Sequence, residues 1–296
     1  MLGIITCVFN PTNSPKIRDN YAQFRKHLNH PILTVELAFN DQPFFIEDAI
    51  QIRGTDENLM WQKERLLNIA LESLPEQIDK IAWLDADIIF KNNSWAEETE
   101  KKLETHKVVQ PFEFVYERNS CSEPVNHGMS FGKYMESHDI VQPWPQPWPK
   151  VGIAWAAQRS VLKNGFFDRH ILGASDTYQL LSWLHLWDHK MIGRLNPYLR
   201  KEFLLWAWDS AVCVNKDISY IKGIVEHLPH GTLANRQYYD RDKILVEHEF
   251  NPFEDISLDS NGIYKWNRNK QVLHQKVRAY FESRNEDALR PVTQKR

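Results

Sequence analysis

Leu2 to Phe9 is a continuous apolar, β-branched run closed by Asn10-Pro11. That is how a strand buried on both faces of a parallel sheet reads. Ile17 to Leu28 has helical spacing, and Ile32 to Ala38 reads as a second strand. Between Asn58 and Leu74, the side chains of Leu59, Leu66, Leu67, Ala70 and Leu74 share one face and Pro75 stops the run, which predicts a helix. Ile81 to Phe90 is the next strand. Ser94 followed three residues later by Glu97 predicts a capping box opening a helix. Val108 to Phe114 and Val151 to Ala157 read as strands, and Thr177 to Trp187 as a helix. Lys265 to Phe281 has a charged helical pattern, with a loose tail expected after Glu282. Strands alternating with helices over the first half predict an α/β fold with a mostly parallel central sheet flanked by helices.

Residues 117–150 break this rhythm. They carry Cys121, Pro124, Gly128, Gly132 and the Pro- and Trp-rich run from Gln142 to Pro149. A long irregular segment inside a compact domain is usually functional, and its aromatic and proline content predicts an ordered flap. With no internal repeat and no clean linker, the 296 residues read as one domain with a variable second half. The net charge of −3 gives no overall field that recruits nucleic acid or an anionic membrane. Cys7, Cys121 and Cys213 are far apart and form no CxxC pair, so they read as reduced thiols of an intracellular protein. The start has no basic region or cleavage site, and no segment is apolar for long enough to span a bilayer. Cytoplasmic residence is the expectation.

The chemistry concentrates in Ile81-Ala-Trp-Leu-Asp-Ala-Asp-Ile-Ile-Phe90. In an extended chain Asp85 and Asp87, two apart, face the same side. Two unpaired carboxylates in an apolar strand are costly without a counter-charge. A hard dication such as Mn2+ or Mg2+, bridging to substrate phosphates, supplies one. In open α/β sheets such ligands bind beyond the carboxyl ends of the strands, where this pair would lie.

At this point the chain resembles the GT-A glycosyltransferases, the D-x-D, galactosyltransferase-like enzymes that use nucleotide-diphosphate sugars. The resemblance covers roughly residues 1–245. It rests on Phe9-Asn10-Pro11, the helix from Trp61 to Asn68, the strand from Trp83 to Ile88, and two later segments. It implies a nucleotide-binding half (1–115), an acceptor-binding half (116–264) carrying the flap, and a C-terminal helix and tail (265–296). The nucleotide would lie over Phe9 and Asn10 at the end of the first strand. Asp87 would ligate Mn2+ or Mg2+ directly. Asp85 would join it in the metal site, contacting the ribose or a metal-bound water.

The segment Gly173-Ala-Ser-Asp-Thr177 is similar to the acidic G-x-E/D-D region of inverting members. By that likeness Asp176 is the catalytic base and Ser175, standing where an acid is common, lies on the acceptor side. Ser175 or Asp176 also suits a plain helix cap. Trp155 resembles an acceptor-side wall residue and equally suits the core. In His227-Leu-Pro-His230-Gly-Thr-Leu-Ala-Asn-Arg236, the His-Gly-cation order resembles the late family motif. It implies His230, rather than His227, as the third metal ligand. Gly231 would let backbone approach the phosphates. Arg236, backed by Arg241 and joined by Lys63, would neutralise the diphosphate.

The resemblance implies transfer of a sugar from a UDP-sugar to a hydroxyl acceptor, with inversion. The acceptor stays open: a glycan, a protein or a modified nucleic acid. Two other readings stand beside this one. A nucleotidyltransferase or pyrophosphorylase would want a Gly-rich basic loop after the first strand, where Asn10-Pro-Thr-Asn-Ser-Pro-Lys16 has no glycine. A non-catalytic carbohydrate-binding protein is suggested by the eleven Trp, but would not need Asp85, Asp87 and His230 together.

Overall fold

The computed structural model describes residues 1–118, 124–138, 149–232, 234–238 and 240–288. β1 (Leu2–Phe9) is apolar nearly throughout because both its faces are covered, Ile5 by one core and Ile4 and Val8 by another. α1 (Pro15–His27) follows, with Ser14 accepting from Ile17 N, Pro15 in the first turn and Arg25, Lys26 and His27 in the last, each favourable at that end of a helix. Then come β2 (Leu33–Phe39), β3 (Ile50–Gly54), α2 (Lys63–Ser73), β4 (Lys80–Leu84), β5 (Ile88–Phe90), α3 (Trp95–Lys102), β6 (Val108–Gln110) and β7 (Phe114–Arg118). The former flap region holds β8 (Pro124–Met129) and α4 (Phe131–Ser137). After β9 (Ala154–Gln158) lie α5 (Ser175–Trp183), α6 (Lys190–Arg194), α7 (Pro197–Val214), β10 (Ile218–Tyr220) and β11 (Ile224–His227). α8 (Arg241–Glu247), the hairpin β12 (Ile256–Leu258) with β13 (Tyr264–Trp266), and α9 (Gln271–Ser283) complete the chain.

The large sheet has the order β10-β6-β9-β4-β1-β2-β3. β9 runs antiparallel to both neighbours, and the other pairs are parallel. This is the expected α/β architecture, with a mostly parallel central sheet flanked by helices. One face packs Leu66 and Leu67 of α2, Trp183 of α5, Phe203 of α7 and Val277 of α9. The other packs Phe24 of α1 and Trp95 of α3. A smaller sheet, β5-β11-β7-β8, stands beside it.

Several expected boundaries moved. The strand foreseen over 81–90 splits: β4 belongs to the large sheet, and β5 pairs antiparallel with β11 in the small one. The run 108–114 splits the same way into β6 and the start of β7. α2 begins only at Lys63, because Thr55 and Asn58 cap a separate 3₁₀ turn over Asp56–Asn58. The capping box at Ser94 does not form: Ser94 makes no side-chain cap bond and Asn92 binds Glu98 instead (3.1 Å). α7 and β3 were not foreseen, and α5 ends at Trp183 rather than Trp187. Residues 284–287, expected to be a loose tail, are hydrogen-bonded to the body. Cys121 and residues 142–148 of the expected flap lie outside the described residues. Among the described residues, no helix is long and apolar enough to cross a membrane.

Candidate functional site

At Leu84 the chain leaves the large sheet, its carbonyl accepting from Thr6 Oγ1 (2.7 Å) on β1. Asp85 to Asp87 make the crossing into β5. The antiparallel register sets His227 opposite Ile88, and Leu228 N donates to Asp87 O (2.9 Å), so His227 and Asp87 are neighbours by sheet pairing. His230 comes back beside them three residues later. Asp87 Oδ2 lies 2.8 Å from His230 Nε2 and 3.5 Å from His227 Nε2. One ligand atom from each of the three residues lies within 4.8 Å of the others.

The electrostatics of this cluster are tense. Burial alone would raise the Asp87 pKa, but the two imidazoles hold it well below the usual carboxylate range. Burial lowers the pKa of His227, against the pull of Asp87. On the far side of His230, Nδ1 lies 2.8 Å from Glu286 Oε2. Burial opposes ionisation of Glu286, yet its bond to His230, followed by the Arg284 charge, holds its pKa down at about 2. A carboxylate accepting from Nδ1–H leaves Nε2 of His230 an acceptor, facing Asp87 and bonded by the Arg236 guanidinium (2.6 Å). A carboxylate and an acceptor imidazole nitrogen both lack a proton to share, so a cation belongs between them, whether a proton or a metal.

Asp85, expected to share a cation with Asp87, faces elsewhere. It is paired with Lys63 in the first turn of α2, and its Oδ2 accepts from Ile153 N (3.2 Å). It is not part of the three-residue cluster. The reason is the turn: alternation holds only within a strand, and the strand ends at Leu84. Lys63 has its pKa raised, the Asp85 charge overcoming the opposing effect of burial.

Asp176 sits in the first turn of α5, where Oδ1 accepts from Thr177 N (2.8 Å). Ala174, the cap residue before α5, has φ +80°, and Ile153 has φ +85°. Positive φ at a β-branched residue is costly, and such strain gathers where geometry is over-determined. Both residues line the same cavity.

That cavity, of about 520 Å³, lies at the carboxyl ends of β1 and β4. Of the residues singled out in the sequence, Phe9, Lys63, Asp85, Asp87, Asp176, His227, His230, Arg236 and Arg241 line it. Asn10 does not; it clamps the loop to α1, bonding Ser14 O and Ser14 N at 2.8 Å each. Gly231, with φ +52°, donates to Glu286 O (2.9 Å) and supports the C-terminal segment. Trp155 and Ser175, expected on the acceptor side, are buried: Trp155 packs edge-on against Trp183 (5.2 Å) and is a core residue, and Ser175, the first residue of α5, is covered as well. Arg236 bonds His230, its Nη2 lying 2.6 Å from Nε2.

Two residues of the site were not foreseen. Glu64 lies on the cavity wall beside Lys63, held by Trp61 Nε1 (2.8 Å), and burial lifts its pKa to about 7. In sequence it read as one more polar position of an amphipathic helix. Glu286 lay in the presumed tail, and no local signal ties it to His230, 56 residues away.

No protein-family model and no curated protein matches the chain. Similar solved structures include TarS of S. aureus (9% identity, TM-score 0.41, covering 95% of this chain and 43% of that one). The mannosyltransferase PcManGT of Pyrobaculum calidifontis, solved with GDP-Man and Mn2+, is 14% identical with a TM-score of 0.42 over 95% of this chain and 69% of that one. Glucosyl-3-phosphoglycerate synthase of Mycobacterium tuberculosis, solved with Mn2+, UDP and phosphoglyceric acid, is 11% identical with a TM-score of 0.38 over 87% and 81%. The chain thus spans less than half the length of TarS. Likeness at this level assigns the chain neither family nor activity; its own residues must do that.

Proposed function

We propose that the chain is a GT-A type glycosyltransferase, moving a sugar from a nucleotide-diphosphate donor, a UDP-sugar, to a hydroxyl acceptor with inversion at the anomeric carbon. The observation that carries this is the convergence of Asp87 Oδ2, His227 Nε2 and His230 Nε2 on the wall of a cavity at the carboxyl ends of parallel strands.

One oxygen and two nitrogen ligands suit Mn2+ better than Mg2+, which prefers oxygen alone. The three residues fit such an ion because one ligand atom from each lies within 4.8 Å of the others, and the Arg236 guanidinium beside His230 Nε2 reaches that residue alone of the three. When bound, Mn2+ would act as a Lewis acid on the donor's diphosphate. Arg236, beside His230, stabilises the charge that develops on the departing diphosphate. Lys63 is tied to Asp85 and fixes the crossing turn that aims Asp87. Asp176, on the same cavity wall and near enough for its charge to act on Lys63, takes the proton of the acceptor hydroxyl as its oxygen attacks. The new C–O bond forms as the sugar–phosphate bond breaks, the electron pair leaves with the diphosphate, and the proton rests on Asp176.

The test is a donor screen reading nucleoside diphosphate release with Mn2+ and with EDTA. At least one UDP-sugar should turn over with Mn2+ alone, and Asp87→Ala should lower that rate by about a hundredfold or more. Turnover that EDTA and Asp87→Ala leave intact would remove the proposal.

A further inference from the structure

Helix α7 carries large apolar side chains outward as well as inward. Its inward residues Leu199, Phe203, Ala207 and Val214 are buried. Its outward positions are apolar as well: Leu205 and Trp208 are each 63% exposed and Val212 60%, with Tyr198 and Leu204 also open. The patch extends beyond the helix. Trp187 lies against Trp208 (ring centroids 6.5 Å apart, 25° between planes), and exposed Phe253 sits under the Lys201 ammonium at 5.8 Å. Proteins rarely leave a contiguous apolar surface of this kind uncovered without a use for it.

The charges around the patch say what covers it. Arg200 and Lys201 flank it at the N-terminal end and Lys216 at the C-terminal end, all exposed. The acids nearby are partnered or at its edge: Asp209 accepts a hydrogen bond from Asn164 (3.1 Å), Glu202 pairs with Arg169 (3.2 Å), Glu254 pairs with Arg268 (2.6 Å), and Asp188 follows Trp187. Two copies of the chain would fit poorly. An antiparallel pairing centred on Trp208 sets Arg200 against Lys216, and a parallel pairing sets Arg200 and Lys201 against themselves. An anionic lipid surface meets every requirement: acyl chains for Leu205 and Val212, the headgroup boundary for Trp208 and Tyr198, and lipid phosphates for Arg200, Lys201 and Lys216.

We propose that the outer face of α7 docks the protein on the surface of an anionic bilayer. The docking is peripheral, since α7 lies along the protein body. It is independent of the glycosyltransferase reading. The net charge of −3 does not oppose it, because only the local field counts within a Debye length.

The experiment is co-sedimentation of the full chain with phosphatidylcholine vesicles, with and without phosphatidylglycerol, alongside the chain's mass in solution by light scattering. The wild type should be monomeric and sediment with the phosphatidylglycerol vesicles, and added salt should weaken the binding. Leu205→Glu with Trp208→Glu should weaken it by about tenfold or more. Because both side chains are exposed, the variant should keep the wild-type melting temperature. Absence of sedimentation, equal sedimentation without phosphatidylglycerol, or binding unchanged in the variant each overturns the proposal. A wild-type dimer that the variant converts to monomer also overturns it, making the face a copy-to-copy interface.

Discussion

Glu64 stands where an apolar helix position would ordinarily be filled by a leucine, 7% exposed and beside Lys63. Burial outweighs the lysine's pull and lifts its pKa from 4.5 to about 7. The folded state therefore holds a proton that the unfolded chain has already released above about pH 4.5, so stability falls as pH rises from there to about 7. Glu64→Gln should be stabilising at pH 8, on the order of 2 kcal/mol, and close to neutral at pH 4. Urea unfolding at the two pH values reads this directly, and an effect that does not grow with pH contradicts it. Gly152 offers a second test at the same scale. A Cβ there would lie 2.7 Å from Asp176 Oδ2. Gly152→Ala should displace that carboxylate and cut turnover about 10- to 100-fold, while Mn2+ affinity, read by calorimetry, stays at the wild-type value. Unchanged turnover would mean that Asp176 is not the base.

Among elements, the segment after α9 does the most for its length. Arg284 Nε donates to Glu286 Oε1 (2.5 Å), Glu286 holds His230, and Asp287 accepts from Ser14 Oγ (2.5 Å) and Lys16 N (3.2 Å). These three residues thus tie the start of α1 to the turn after β11, the two loops that flank the cavity. Oriented imidazoles bind metals better, and loss of such a supporting carboxylate typically costs 10- to 100-fold in affinity. Glu286→Ala should weaken Mn2+ binding by about that factor with the circular dichroism unchanged, and Glu286→Gln by less, because its amide oxygen still accepts from Nδ1–H. Equal Mn2+ affinity in all three proteins would leave Glu286 a packing residue only. The pairing of β5 with β11 is the other decisive element: it converts two histidines remote in sequence from Asp87 into its neighbours.

For the whole molecule, the cavity sits where the two sheets and the C-terminal segment meet, so ligands that bind only the folded state stabilise all three together. Mn2+ with a UDP-sugar at a hundredfold excess over its dissociation constant should add about 2.7 kcal/mol and raise the melting temperature by several degrees. Asp87→Ala should erase the Mn2+-dependent part of that rise. What the sequence determined alone is the part of the fold written in local period and burial. The apolar run of β1, the face of α2 and the alternation of strands with helices predicted the parallel α/β sheet. The D-x-D interruption falls on the wall of the cavity at the strands' carboxyl ends. Only the tertiary structure decided that Asp85 turns to Lys63 while Asp87 turns to His227 and His230. Only it put Trp155 in the core, raised Glu64 from a helix position to a cavity wall, and bound Glu286 to His230. The physical reason is one of range: hydrophobic periodicity is written in neighbours three or four residues apart, whereas a carboxylate's partner is chosen by whichever charge the folded backbone brings within about 3 Å.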